Sequence, residues 1–185
     1  LLDELPEEQI TDREVKMQDQ SKWPADQAIE KFWNQGGELT DHHGKAYLRG
    51  RRIDPENLPR TVVREAQHKS NTKPETNLYP ALVFATIDAN ENVVGIHAVR
   101  CPQGVLLDNA AKITNGQLNG AAIKIPGSST QQGEIIIVEG PEDALSIWQE
   151  TGIETWAACS IGNLSAAPVR ATQRVVVIGD ADGKT

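Results

Sequence analysis

"EIIIVEGPEDALSIWQETG", residues 134–152, decides the fold class. Ile135, Ile136, Ile137 and Val138 are consecutive β-branched residues without polar alternation, the pattern of a strand covered on both faces in a parallel sheet. A helix is predicted to follow. Pro141 suits its first position, Glu142 and Asp143 suit the positive end of its dipole, and Gly152 closes it. Further on, "TWAACS" (155–160) and "RVVVIGD" (174–180) read as two more strands. Strand, helix, strand, loop, strand is a βαβ layout, whose sites lie beyond the carboxyl ends of the strands.

Upstream the character is different. "ALVFATIDANENVVGIHAV" (81–99) predicts an antiparallel hairpin turning at Asp88 to Asn92, and "NGAAIKI" (119–125) offers a third strand. "ADQAIEKFWNQGG" (25–37) puts Ala28, Ile29, Phe32 and Trp33 on one helical face and stops at Gly36-Gly37. A second short helix is expected in "DHHGKAYLRGR" (41–51), with Tyr47 and Leu48 inward and Lys45 and Arg49 on its polar side. The segment before Trp23 lacks apolar periodicity and reads as an acidic arm, ordered only where Trp23 docks. The expected division is 1–27 as arm or linker, 28–128 as a smaller α+β subdomain, and 129–185 as the α/β subdomain, joined through the Gly/Ser stretch at 127–133.

With 185 residues and 38% hydrophobic composition, the chain can build a real core. Its longest apolar runs are far short of a membrane span and no basic-then-apolar leader precedes them, which reads as a cytoplasmic protein with no membrane partner. A first residue of leucine and an end just after a strand predict a piece of a longer polypeptide. Cys101 and Cys159 form no Cys-x-x-Cys pair, so neither a disulfide framework nor a zinc ribbon follows from them. The net charge of -8 is unevenly spread. Residues 41–73 carry 4 acids against 8 bases, a basic island at +4 between flanks of -6 each.

"VVVIGDADGKT" (175–185) poses the chemical question. A phosphate-wrapping loop would need glycine at position 178, where Ile178 stands. An EF-hand loop needs its glycine sixth from the first acid, whereas Gly183 is fourth from Asp180. A metal site fits better. In extended chain Asp180 and Asp182 project to one side past a strand end, Glu139 follows the earlier strand, Gly140 leaves its carboxylate unshielded, and Asp143 returns within one helical turn. Four converging acids would repel one another unless a hard divalent cation, Mg²⁺ or Mn²⁺, joins them. The plainer alternatives are a solvated acidic turn for Asp180 and Asp182 and a dipole role for Asp143, and Glu142 reads as a dipole and solubility residue.

"IIIVEGPEDAL" followed by "VVVIGDAD" resembles the Toprim catalytic fold of bacterial-type primases, type IA and II topoisomerases and some nucleases, marked by Glu-Gly after one strand and Asp-x-Asp after another. The stretches at 28–53, 80–100 and 120–125 resemble the amino-terminal subdomain of Toprim primases from plasmids, phages and conjugative relaxases, with Arg52 standing where that family usually carries glycine. The resemblance implies a Toprim-like parallel sheet flanked by helices, its carboxyl-terminal part absent. It also implies a primase that makes RNA primers on single-stranded DNA from ribonucleoside triphosphates, with helicase, relaxase or zinc-binding domains elsewhere in the full chain. Glu139, Asp180 and Asp182 would be catalytic and, with Asp143, hold the metal. Lys45, Arg49, Arg51 and Arg52 are candidates for nucleic-acid or nucleotide phosphates, as is Lys112 from a turn-rich loop. A Toprim nuclease or topoisomerase-like domain, and a non-catalytic DNA-binding module, remain open. His97, Trp33, Trp148, Trp156 and Cys159 read as core residues.

Overall fold

The computed structural model describes residues 23–59, 61–69, 77–107, 111–127, 133–170 and 174–179. The arm before Trp23, most of the expected connector, and both Asp180 and Asp182 lie outside them. The described chain runs α1 (Ala25–Ala28), α2 (Gly44–Gly50), β1 (Val63–His68), β2 (Tyr79–Ile87), β3 (Val93–Arg100), β4 (Lys112–Gly116), β5 (Ile123–Ile125), β6 (Glu134–Val138), α3 (Pro141–Thr151), β7 (Glu154–Ala157) and β8 (Arg174–Val177). No described helix is long and apolar enough to cross a membrane.

The strands form two four-stranded sheets, ordered β1-β2-β3-β4 and β5-β7-β6-β8. Every pairing in the first is antiparallel. In the second, β6 pairs in parallel with both β7 and β8, while β5 joins antiparallel to β7. The sequence therefore reads correctly as a mixed α/β chain with a parallel sheet behind an α+β portion. The strand at 123–125 lies ahead of the expected boundary at 128/129 yet pairs in the second sheet, so the two portions share a strand as well as a seam.

Period-two alternation explains the seam. Ala81, Val83, Ala85, Ile96 and Ala98 face Ala28, Phe32 and Trp33, and Trp23 docks edge-on against Phe32. The other face presents Leu82, Phe84 and Val99 to Tyr47 and Leu48 of α2, and to Ile136, Val138, Ala144 and Leu145 from β6 and α3. Ile135 and Ile137 point the opposite way, against Trp156, Ala158 and Ala167. The consecutive isoleucines are thus buried on both sides, as their lack of alternation requires.

Three local expectations need correction. The helix over 25–37 buries Ala28, Phe32 and Trp33 as its spacing predicts, but Ile29–Asn34 winds as a π-helix. Its end is held from β1 by Arg64, whose Nη1 donates to Trp33 O at 2.6 Å and whose guanidinium lies 4.4 Å from the Trp33 ring centre. Trp148 is half-exposed rather than buried, because its indole N–H reaches out to Pro126 O at 2.7 Å. Lys112 is not in a loop; it begins β4.

Arg52 has φ 61, a left-handed conformation that costs an L-residue about 1–2 kcal/mol and a glycine almost nothing. Part of that gain is returned as extra unfolded-state freedom. Arg52→Gly is therefore expected to raise the unfolding free energy by about 0.5–1 kcal/mol, seen as a higher midpoint at unchanged slope in a urea titration.

Candidate active site

The site is built at the carboxyl edge of the second sheet. β6 delivers Glu139 there, and the β6/β7 ladder runs right up to it: Ala158 N donates to Val138 O at 2.9 Å and Cys159 N to Glu139 O at 2.8 Å. Gly140 then starts α3 with extended dihedrals, Pro141 fills the first helical position, and Gly152 closes the helix in the left-handed region. Asp143 and Glu142 fold back toward the turn. A Cβ added to Gly140 would lie 3.2 Å from Asp143 Oδ2 and 3.5 Å from Glu142 Oε2, so a side chain there would crowd both carboxylates.

β8 runs beside β6 in the same direction and in register, Ile137 opposite Val177, and Ile178 N donates to Ile137 O at 2.9 Å. The strand that leads into Asp180 is thus the immediate neighbour of the strand that leads into Glu139. A separation of the two across the sheet, which would have removed the metal reading, is not what the topology gives. Asp180 and Asp182 themselves lie outside the described residues, and among the described residues no group of three or more His, Cys, Asp or Glu side chains could hold a metal ion. Glu139 and Asp143 supply hard oxygen donors, the kind Mg²⁺ takes.

Glu142 departs most from its sequence reading. It is 6% exposed, turned inward from the first helical turn to the seam between the sheets. Tyr47 Oη donates to its Oε1 at 2.8 Å, and Lys112 Nζ lies 2.9 Å from Oε1 and 3.0 Å from Oε2. Burial pushes the Glu142 carboxyl up, but the Lys112 ammonium and the hydrogen bonds from Lys112 and Tyr47 outweigh it and hold it below the usual value. Burial, then the charge of Glu142, drives the Tyr47 phenol well above its ordinary range. Spacing alone could not reveal this network, since an acid after proline at a helix start is what a solvated dipole residue looks like.

Register places His97 on this seam too. It sits opposite Thr114 and shares a sheet face with Val99 and Lys112. Its Nδ1 is 2.8 Å from Thr114 Oγ1, Nε2 has no partner among the described residues, and the ring is buried, as read from sequence. Burial lowers its pKa to about 4, with Lys112 adding to the effect and Glu142 opposing it. Burial likewise lowers His68, beside Arg100, to about 3. Both histidines stay neutral in the folded chain where an unfolded chain takes up protons near pH 6.5. Stability is therefore whole above pH 6.5 and falls as pH drops from 6.5 toward 4, with His97 accounting for about 3 kcal/mol at the bottom of that window. Thermal melts between pH 7 and 4.5 should show the slope, and His97→Gln should flatten it. Cys159, read as core, is only partly buried against the seam cluster; burial pushes its thiol up to about 12, so it stays protonated.

The basic island is dispersed. Lys45 bonds both oxygens of Glu56, at 3.0 and 3.1 Å, and Arg49 bridges Asp41 and Glu56 at 3.3 and 3.1 Å. A cavity of about 340 Å³ opens beside Lys45, Glu56 and Arg64, and neither Glu139 nor Asp143 lines it. Arg51 lies 5.7 Å from the Tyr47 ring centre and so sits near the seam, while Arg52 offers its carbonyl to Gln149 of α3 at 3.3 Å.

The family profile described as a domain of unknown function, DUF7146, matches residues 24–125, more than half of the chain. The chain belongs to the DUF7146 family. The DUF7146 region takes in α1 through β5, with His97 and Lys112, and a Toprim domain profile matches residues 134–185, which contain Glu139, Asp143, Asp180 and Asp182. The primase fragment of the bacteriophage T7 primase-helicase protein is similar in structure, with a TM-score of 0.50 at 14% identity over 82% of this chain and 62% of that one. The Aquifex aeolicus primase, comprising zinc binding and RNA polymerase domains, gives 0.47 at 14% identity over 84% and 45%. The chain thus spans less than two thirds of the T7 fragment's length. No curated protein matches it. DUF7146 and Toprim regions together carry a Toprim primase-like fold.

Proposed function

We propose that this chain is the catalytic part of a Toprim-type DNA primase, a metal-dependent nucleotidyltransferase that joins ribonucleotides into short RNA primers on single-stranded DNA, in plasmid or phage replication or conjugative transfer. The observation that carries the proposal is the parallel, in-register pairing of β8 with β6, which brings the chain leading to Asp180 alongside Glu139. The division into a primase-type portion (28–128) and a Toprim portion (129–185) is kept, with β5 lent across it.

Glu139, Asp180 and Asp182 would hold Mg²⁺ or Mn²⁺, with Asp143 assisting; the cation would supply charge neutralisation at the phosphates and at the attacking and leaving oxygens. In the reaction the 3′ oxygen of one ribonucleotide bonds the α-phosphorus of the next and pyrophosphate leaves. Glu139, at the strand tip, is the candidate to take the hydroxyl proton. Lys112 and Arg51, at the seam, would meet the triphosphate. Lys45, Arg49 and Arg52 would meet template phosphates, the first two by exchanging their present carboxylate partners. Helicase, relaxase or zinc-binding domains would complete the full protein. A topoisomerase role would need a reactive tyrosine, and neither candidate suits it: Tyr47 is buried with its hydroxyl bonded to Glu142, and Tyr79 begins β2 with Arg100 5.2 Å from its ring centre.

The deciding experiment incubates the full-length protein with single-stranded template, labelled ribonucleotides and Mg²⁺. Primers support the reading, whereas cleavage products, or retention of DNA with no turnover, replace it with a nuclease or a binding module.

A further inference from the structure

The Glu142–Lys112 pair has a shape that neither stability nor solubility explains. Glu142's side chain is 7% exposed, so it does little for solubility, and burying an ion pair stabilises a fold less than apolar packing of equal volume would. Its oxygens take bonds from two other elements, Tyr47 on α2 and Lys112 on β4. The Lys112 side chain is 41% exposed, so the pair is closed on the carboxylate side and open on the ammonium side. An ammonium has three donors. Two contacts go to Glu142, and among the described residues none takes the third donor, which is open to a ligand.

Covalent geometry links this pair to the reacting edge. Asp143 follows Glu142 directly and Glu139 precedes it by three residues, across the Gly140-Pro141 start of α3. Pinning Glu142 therefore sets the distance from Lys112 to both acids, although Lys112 belongs to the other sheet. A lysine stem is flexible, and an unheld ammonium would wander over several ångströms.

We propose that Glu142 is a positioning residue that orients the Lys112 ammonium toward the triphosphate of the incoming nucleotide, an assignment that rests on the nucleotidyl-transfer reading above. Its charge has two opposed effects. It weakens the pull of Lys112 on phosphate, and it keeps that pull in the right place. Removing the charge while keeping the shape should separate affinity from turnover.

The test uses the full-length protein carrying Glu142→Gln, Lys112→Gln and both, read by primer synthesis, by calorimetric binding of magnesium–ATP and by thermal melting. Glu142→Gln should lower kcat about tenfold with KM for nucleotide unchanged or lower, since misplacement by an ångström can cost this much or more. In the Lys112→Gln background the same change should shift kcat less than about twofold, because its partner is already gone. An equal loss in both backgrounds, or a rise in KM alone, overturns the proposal. If Glu142→Gln does not fold, Glu142→Asp decides: a carboxylate shortened by one methylene lowers kcat if it positions Lys112, and wild-type turnover overturns the idea. If the unmutated protein makes no primers, the primase reading falls by itself, and binding decides the positioning role. A change in magnesium–ATP affinity on Glu142→Gln that disappears without Lys112 supports that role; a change that persists sinks it.

Discussion

Glu139→Gln in the full-length protein is expected to reduce primer synthesis by on the order of 10³-fold while leaving its melting temperature within a degree or two. The substitution keeps volume and hydrogen-bonding shape and removes one negative charge from the strand tip. Glu139 is only half-buried, and its contribution to the fold is its carbonyl, which Cys159 N uses and glutamine retains. The lost carboxylate is also the one at the carboxyl end of β6, beside the chain that leads to Asp180. Asp180→Asn should give a loss of similar size, and the double variant little more, because groups that hold one cation act as a unit. Glu150→Gln, an exposed change near the carboxyl end of α3, should leave turnover unchanged. Retention of more than about a tenth of the activity in Glu139→Gln would be incompatible with both roles assigned to it, because even the general-base role alone carries 10²-fold or more.

The fold shows in the sequence wherever burial is apolar. β2, β3 and β6 bury runs of valine, isoleucine and alanine, and β8 half-buries Val175 and Val176, so their existence was plain. β1 was invisible, because its inward positions include Glu65 and His68. Glu65 is tolerated there because Thr40 N, Thr40 Oγ1 and Gly44 N all donate to it within 2.9 Å, a cap on α2 delivered from 21 residues away. A local pattern cannot carry that information. β4 was missed for the same reason, since Lys112 pairs with Glu142 and Asn115 Oδ1 accepts from Trp23 N, partners 30 and 92 residues away. The parallel strands, and the position of Glu139 just past the end of one of them, were legible because an unbroken apolar run ends there in Glu-Gly. Glu142 was not, because its partners come from two distant elements.

Phe84→Ala tests the claim that the two sheets fold as one body. Phe84 is 1% exposed and lies on the face of β2 that packs toward Leu145, Val138 and Ile136. Truncation should cost about 3–5 kcal/mol, the transfer of the ring plus a cavity that two sheets, each fixed by its own ladder, cannot collapse to fill. For a chain of this length that corresponds to a fall in Tm of roughly 10 °C. The tryptophans make the outcome readable from both sides. Trp23 and Trp33 pack beneath the outer face of the first sheet, and Trp156 beneath the outer face of the second. If the seam is one core, tryptophan fluorescence and far-ultraviolet circular dichroism will lose structure in a single coincident transition, displaced as a whole by the substitution. If the sheets were separately stable, the curve would split, with the second sheet melting near its original temperature. The same coupling bears on the proposed reaction, since Lys112 lies on the first sheet and Glu139 at the end of β6 in the second, and they keep a fixed separation only while the Phe84 layer holds the sheets together.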